Sequence, residues 1–282
     1  MNLRATPQDE RMPGVSPLKA IDRFQPGGFR HELDRVAEEV PVALQYNGQA
    51  YAVMLASPTD LEDFALGFSL TENILNSREE MLRIEVREEL SGIQVAMEIP
   101  PQRAAKLAPN TRTLAGNSGC GLCGTRQLED VVRWPPTVAA STSLDSAALN
   151  RALAAMPDYQ PMYRVTGATH AAAWCLLNGD IALVREDVGR HNALDKLMGA
   201  MARAEHGTGH GALLLTSRAS YEMVQKAAWC GVAIVVAVSA PTALAIAIAE
   251  HAHITLIGLA RDGRYVAYTH PSRIRDYAAP SE

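Results

Sequence analysis

Aromatic residues supply only 5% of this chain, and cysteine occurs four times in 282 residues. So few thiols cannot staple a small scaffold, which excludes a disulfide framework and implies a reducing compartment. Basic charge is not in excess either. Lys and Arg number 26 against 31 Asp and Glu, a net charge of −5, which argues against a dedicated nucleic-acid binder. The 20 Gly and 16 Pro form no repeat, so collagen-like and low-complexity classes are out. The first 19 residues contain no apolar core of the kind a signal peptide needs. The one long uncharged stretch, Ala227–Ala249, is broken by Ser239-Ala240-Pro241-Thr242. It reads as strand, turn and helix rather than as a membrane span.

What is present is an ordinary apolar content of 48% and a length that fits roughly two domains at about 150 residues each. Residues 1–25 are polar and Pro/Gly-rich and are expected to form a loose tail. Residues 26–140 read as a smaller α+β unit. Hairpins are expected at Val40–Tyr46/Tyr51–Ala56, turning on Asn47-Gly48, and at Arg83–Glu89/Ile93–Ile99. Between them Ser57-Pro58-Thr59-Asp60 has the form of a helix start, with Ser57 as the cap. Leu61, Phe64, Ala65 and Phe68 then share one helical face. Residues 141–282 alternate strand and helix, which predicts a larger α/β unit around a mostly parallel sheet covered on both faces.

Chemistry-bearing residues cluster in a few segments. Gly119-Cys120-Gly121-Leu122-Cys123-Gly124 sets two thiols three positions apart in a glycine-rich loop, whereas Cys175 and Cys230 sit in apolar runs and read as core. The pair is open to four readings. A zinc site would need two more ligands, and no second pair is in sight. A thiol–disulfide oxidoreductase would place the pair at the start of a helix. An inert loop and a persulfide-bearing sulfur carrier complete the set, the last using the attack-on-sulfur chemistry of disulfide exchange. A zinc deaminase would need His-x-Glu upstream of the cysteines, and His170 follows them without the Glu.

Three strand-to-helix or strand-to-turn segments are further candidates, because ligands gather at such loops in open α/β sheets. Val184–Lys196 contains Glu186, Asp187, Arg190, His191 and Asp195, which read either as a binding loop or as a charged helix cap. Ser217 and Arg218 in the stretch Thr216–Glu222 read either as phosphate contacts or as part of a serine-capped helix start. In Leu259-Ala260-Arg261-Asp262-Gly263-Arg264 two arginines bracket an Asp-Gly turn. They form either an anion clamp or a plain exposed hairpin.

With these segments in view, the chain resembles the formate dehydrogenase accessory sulfurtransferase (FdhD-type sulfur carrier) family. The likeness rests on Phe64–Phe68 with Thr71-Glu72, Cys120–Gly124, Thr166–His170, Glu186–Lys196, Ser217–Lys226 and Ser239–Thr242. It runs from about residue 40 to Arg273. The resemblance implies a sulfurtransferase that takes persulfide sulfur from a cysteine desulfurase. The sulfur goes to the molybdenum cofactor, a bis(molybdopterin guanine dinucleotide) bound as substrate, for the catalytic subunit of formate dehydrogenase. It implies Cys120 as the persulfide carrier with Cys123 as the second thiol, and cofactor binding by Leu259–Arg264, which we extend to Ser217, Arg218 and His191. It further implies a cytidine deaminase-like fold for the larger unit with no zinc, a homodimer, and a cytoplasmic location without membrane or nucleic-acid partners. The alternatives are a non-catalytic cofactor-binding chaperone and a thiol–disulfide oxidoreductase. Asp262 puts a carboxylate into the expected clamp, and the net negative charge gives an anionic ligand no long-range help.

Overall fold

A computed structural model describes residues 12–107, 133–139 and 141–276. The chain opens with a two-stranded ribbon, β1 (Lys19–Gln25) and β2 (Gly28–Asp34). Part of the expected loose tail is therefore a strand. Its polar composition hid the alternation, since most side chains of this ribbon face solvent and even Phe24 and Phe29, stacked edge to face, are exposed.

A four-stranded sheet follows. The hairpin β3 (Val40–Tyr46)/β4 (Gln49–Ala56) leads into α1 (Leu61–Thr71), and then into the hairpin β5 (Arg83–Glu89)/β6 (Gly92–Glu98). Both hairpins turn where Asn-Gly and Ser-Gly predict. Strands β3 and β6 join them in parallel, giving the order β4-β3-β6-β5. Phe64, Phe68, Leu44 and Val95 close a core between this sheet and α1. A short turn of helix, α2 (Pro101–Ala104), ends this part.

The second core surrounds a six-stranded sheet. In chain order come β7 (Leu144–Asp145), α3 (Ser146–Ala155), α4 (Pro161–Thr166), β8 (His170–Leu176), β9 (Ile181–Asp187), α5 (Arg190–Arg203), β10 (Gly211–Leu215) and α6 (Tyr221–Trp229). Then come β11 (Ile234–Ala237), α7 (Ala243–His251), β12 (Thr255–Arg261), β13 (Arg264–Thr269) and β14 (Ile274–Arg275), which pairs with β7. The sheet order is β13-β12-β11-β10-β8-β9. Only β10–β11 and β11–β12 are parallel; the other three pairings are antiparallel. The expected mostly parallel sheet is thus a mixed one. Two of the three antiparallel pairings have a local cause: Asn178-Gly179 and Asp262-Gly263 make tight turns, which can join only antiparallel neighbours. Strand β11 is wholly buried, as a strand covered on both faces should be.

The two cores meet at the crossing of α1 and α5. A Cβ on Gly67 would lie 1.7 Å from the Asp195 carbonyl oxygen, and one on Gly199 would lie 1.9 Å from that of Asp63. Glycine at both positions lets the helix backbones touch. Beside this crossing, Asp63 binds Arg185 at 2.7 Å and Arg203 at 3.0 Å.

Candidate functional site

Strands β9, β10, β11 and β12 all point the same way, so their carboxyl ends share one sheet edge with the start of β8. This is the edge where open α/β sheets bind ligands. The segments singled out in the sequence leave the sheet here. A cavity of about 780 Å³ opens beside it, lined by His170, Thr216 and Val238, by Gln160 and Tyr163, and by Ala260–Gly263.

Of the expected binding residues, Ala260, Arg261, Asp262 and Gly263 line this cavity directly. Leu259 and Arg264 flank them. Leu259 has φ 55° within an irregularity of the β12–β13 ladder between Gly258 and Arg261. Its N–H donates to the Ser239 carbonyl at 3.2 Å. A left-handed leucine is costly, and this bulge sets the aim of the residues that follow. Arg261 and Arg264 are register partners across the turn, both are exposed, and neither forms an ion pair among the described residues. Like charges set opposite each other on a hairpin repel, so an anion between them would be welcome. Asp262, the turn residue, has φ 52°.

The remaining candidates are not on the cavity wall. Ser217 is buried and its hydroxyl bonds the Arg218 carbonyl at 3.0 Å, while Arg218 faces solvent. His191 is buried with Nε2 3.1 Å from Glu222 Oε2, an oxygen that also accepts from Ser220 Oγ at 3.1 Å. Burial lowers the His191 pKa against the pull of Glu222. Ser220 caps nothing; its hydroxyl is spent on Glu222.

The acidic pair of the Val184–Lys196 segment is structural, and the helix that Glu186 caps is α4, not the α5 that follows it in the chain. Glu186 accepts the N–H groups of Met162 and Tyr163, both at 2.8 Å, and the hydroxyl of Thr169 at 2.9 Å, fixing the cavity wall that α4 supplies. Asp187 and Lys196 are fully buried 2.7 Å apart. Asp187 also accepts from Ser57 N–H, Gly189 N–H and Asn192 Nδ2, while Lys196 donates to the Ser57 carbonyl at 2.9 Å. Ser57 is therefore a tie between the two cores. The helix it was expected to cap starts after Asp60, without a side-chain cap. Nothing local in the sequence marks Ser57 for this role, because its partners lie 130 residues away.

Cys120 and Cys123 lie outside the described residues. The described chain resumes at Arg133, whose guanidinium binds Glu72 at 2.9 Å and whose carbonyl accepts from Gln225. Glu72 also holds Lys226 at 3.0 Å, and Lys226 binds both oxygens of Asp195 at 2.9 and 3.0 Å. Thr71 completes the cluster with a 2.6 Å bond to Asp195. Burial opposes ionisation of Glu72, but Lys226 and Arg133 outweigh it and hold its pKa at about 2. Burial pushes Asp195 up to about 6 against the pull of Lys226.

The other two cysteines are described. Cys175 is buried in β8, and burial pushes its thiol up to about 11. Burial, then the charge of Asp195, pushes the half-buried Cys230 up to about 12. Both are protonated at pH 7, and the thiol is a poor nucleophile beside the thiolate. Among the described residues no group of three or more His, Cys, Asp or Glu is placed to hold a metal ion, and no helix is long and apolar enough to cross a membrane.

Comparison with known proteins gives this arrangement a family. A protein of Xanthomonas euvesicatoria named sulfur carrier protein FdhD is 51% identical over 92% of both chains. One of the same name from Cupriavidus necator is 50% identical over 92% of this chain and 90% of its own. A solved structure from Desulfotalea psychrophila, provisionally described as a formate dehydrogenase accessory protein, shares the fold. It has a TM-score of 0.72 and 23% identity, and covers 92% of this chain and 99% of the other. The FdhD/NarQ family model matches residues 37–275, a span that takes in both cores and the cavity edge, and the chain belongs to that family.

Proposed function

We propose that this chain is a sulfur carrier that serves formate dehydrogenase by sulfurating its molybdenum cofactor, with Cys120 as the carrying thiol. One observation bears most of the weight. Of four cysteines, Cys175 and Cys230 have thiols raised to about 11 and about 12. Sulfur-transfer chemistry therefore falls to Cys120 and Cys123. The name carried by relatives about 50% identical points the same way.

The chemistry follows from thiol–disulfide exchange. Cys120 thiolate attacks the outer sulfur of a persulfide on a cysteine desulfurase. A new S–S bond forms to Cys120, the donor's own S–S bond breaks, and the donor cysteine leaves as thiolate. Cys123 then attacks the inner sulfur of the Cys120 persulfide. Hydrosulfide leaves for the cofactor, and the two thiols, having supplied its two electrons, end as a disulfide. A cellular dithiol resets them. The substrate is the bis(molybdopterin guanine dinucleotide) cofactor, held at the carboxyl edge with its phosphates between Arg261 and Arg264 and with Arg218 close by. In this reading the six-stranded unit is a cytidine deaminase-like layer used for holding rather than for zinc chemistry, and the carrier works as a cytoplasmic homodimer.

The test is mass spectrometry after incubation with a desulfurase and cysteine. One added sulfur on the Cys120 peptide is expected, and Cys120→Ala should abolish formate dehydrogenase maturation. An unmodified Cys120, or full activity of Cys120→Ala, overturns the proposal. A second reading, a chaperone that escorts the cofactor without carrying sulfur, rests on the cavity and its arginines alone. It requires Cys120→Ala and Cys123→Ala to keep function while Arg264→Ala loses it.

A further inference from the structure

Helix α4 starts on the wall of the cavity at the carboxyl edge, and Gln160 stands just before it. A polar side chain at this position ordinarily caps the helix, but the Gln160 amide does not. Glu186 has taken that task, since it accepts the N–H groups of Met162 and Tyr163. Gln160 is only 6% exposed, and its amide forms no hydrogen bond among the described residues. Most buried polar groups are paired, so a buried amide left uncommitted needs a reason. Asn150, on the same wall, has its amide oxygen sealed in beyond the reach of any ligand, whereas neither amide atom of Gln160 is sealed. Gln160 thus offers an acceptor and a donor, side by side, to a cavity of about 780 Å³.

The rest of the wall narrows what those two groups can meet. Its full charges, Arg261 and Asp262, belong to the turn between β12 and β13. The segment that carries His170 brings polarity without full charge, because burial and then Arg190 work against protonation of its imidazole. Thr169 and Thr216 have spent their hydroxyls on Glu186 and on the Ala171 backbone. Leu153, Met156 and Val238 add apolar surface. Such a wall suits the face and edge of a neutral flat ring, while the arginine-bearing turn suits phosphates. The ligand of the proposed function, which this assignment presupposes, carries two kinds of such ring, guanine and pterin. Both have a lactam edge, in which a ring N–H stands beside a C=O. We infer that Gln160 reads this lactam edge: Oε1 accepts from the ring N–H, and Nε2 donates to the ring carbonyl.

The probes are GDP and 6-hydroxymethylpterin, each titrated by calorimetry into the full chain. Each is paired with its derivative methylated on the lactam nitrogen, which removes the N–H and blocks the edge. At least one probe should bind about tenfold or more tightly than its methyl derivative. In Gln160→Leu that probe should weaken to the level of the derivative, with the derivative itself unchanged. A response of GDP identifies guanine as the ring that is read, and a response of the pterin identifies the pterin. The melting temperature of Gln160→Leu should not fall, because no hydrogen bond within the described chain is lost. Equal affinity for both members of each pair, or a preference that survives Gln160→Leu, overturns the inference. Should Gln160→Leu not fold, Gln160→Met and the methyl comparison on the parent chain decide. If GDP binds through Arg261 yet neither methyl group matters, the placing of the phosphates stands and this assignment alone falls. If neither probe binds, both fall, and the sulfur state of Cys120 is read separately by mass spectrometry.

Discussion

Replacing Gly67 by alanine tests the contact that joins the two cores. The added Cβ would sit 1.7 Å from the Asp195 carbonyl oxygen and 2.7 Å from the Gly199 amide nitrogen. A carbon–oxygen contact needs roughly 3.3 Å, so α1 and α5 must part by about 1.6 Å. The obstacles are helix backbone, which cannot swing aside as a side chain does. The same movement would stretch the 2.6 Å bond from Thr71 on α1 to Asp195 on α5 beyond hydrogen-bond range. Overpacking of this kind costs about 1–3 kcal/mol, and the lost buried bond adds about 1 kcal/mol. The helix propensity of alanine returns about 1 kcal/mol. The net expectation is a loss of about 1–3 kcal/mol, seen in urea as a midpoint lowered by roughly 0.3–1.5 M at a slope of about 2–3 kcal/mol/M. Gly199→Ala should cost about the same. The double variant should cost less than the sum by about 1 kcal/mol, since one separation relieves both clashes. Gly209→Ala, whose Cβ would meet nothing within 4 Å, should stay within about 0.5 kcal/mol of the parent. A stabilised or unchanged Gly67→Ala, or strict additivity in the double variant, would refute the reasoning.

Three further outcomes are expected. Lys196→Met leaves the Asp187 carboxylate buried without the ammonium 2.7 Å away, and thermal unfolding should show a loss of about 3–5 kcal/mol, eased when Asp187→Asn is added. Glu72 has its pKa held at about 2 rather than at the ordinary 4.5, so its stabilisation is complete above pH 4.5 and lost as the pH falls toward 2. Acid titration of Glu72→Gln should therefore run flatter across that window by about 3 kcal/mol in all, and an unchanged slope would contradict the assignment. Arg261→Ala and Arg264→Ala relieve a facing pair of like charges, so stability should hold or rise slightly. Calorimetry with a guanine nucleotide should nevertheless show affinity falling roughly tenfold or more for each, with a weaker salt dependence.

What could be read from the sequence was local. Asn47-Gly48, Ser91-Gly92 and Asn178-Gly179 mark their turns because hairpin geometry is decided by two residues. The uncharged stretch from Ala227 resolves into the end of α6, β11 and α7, because a proline placed after a β-branched run stops the strand. What could not be read was pairing at a distance. The parallel contact of β3 with β6 spans the whole of α1, and the antiparallel setting of β8 against β10 depends on where α5 carries the chain. The same limit applies to the candidate site. Arg261 and Asp262 reach the cavity wall because an Asp-Gly turn after a buried strand stands at the end of the sheet. His191 and Ser57 spend their polar groups on partners remote in sequence, and Ser217 spends its hydroxyl on the carbonyl of the next residue, so none of the three turns toward the cavity wall.

The polar residues of the long segments divide into two groups, and the division governs how variants should be interpreted. Ser57, Asp187, Asn192 and Lys196 form one buried knot between the cores. Thr71, Glu72, Asp195 and Lys226 form a second, which ends on Arg133. Arg133 is where the described chain resumes after the stretch bearing Cys120 and Cys123. A charge removed from either knot strands its counter-charge in the interior and loosens the joint between the cores. It would abolish activity through stability even if it never touched a substrate. Arg261, Asp262 and Tyr163 stand outside both knots, half-buried or exposed on the cavity wall, and their loss leaves the joint intact. Only variants of that second kind report on binding. A scan that ranked residues by lost activity alone would place Lys196 and Asp195 at the active site, and unfolding midpoints measured in parallel would separate them from the arginines.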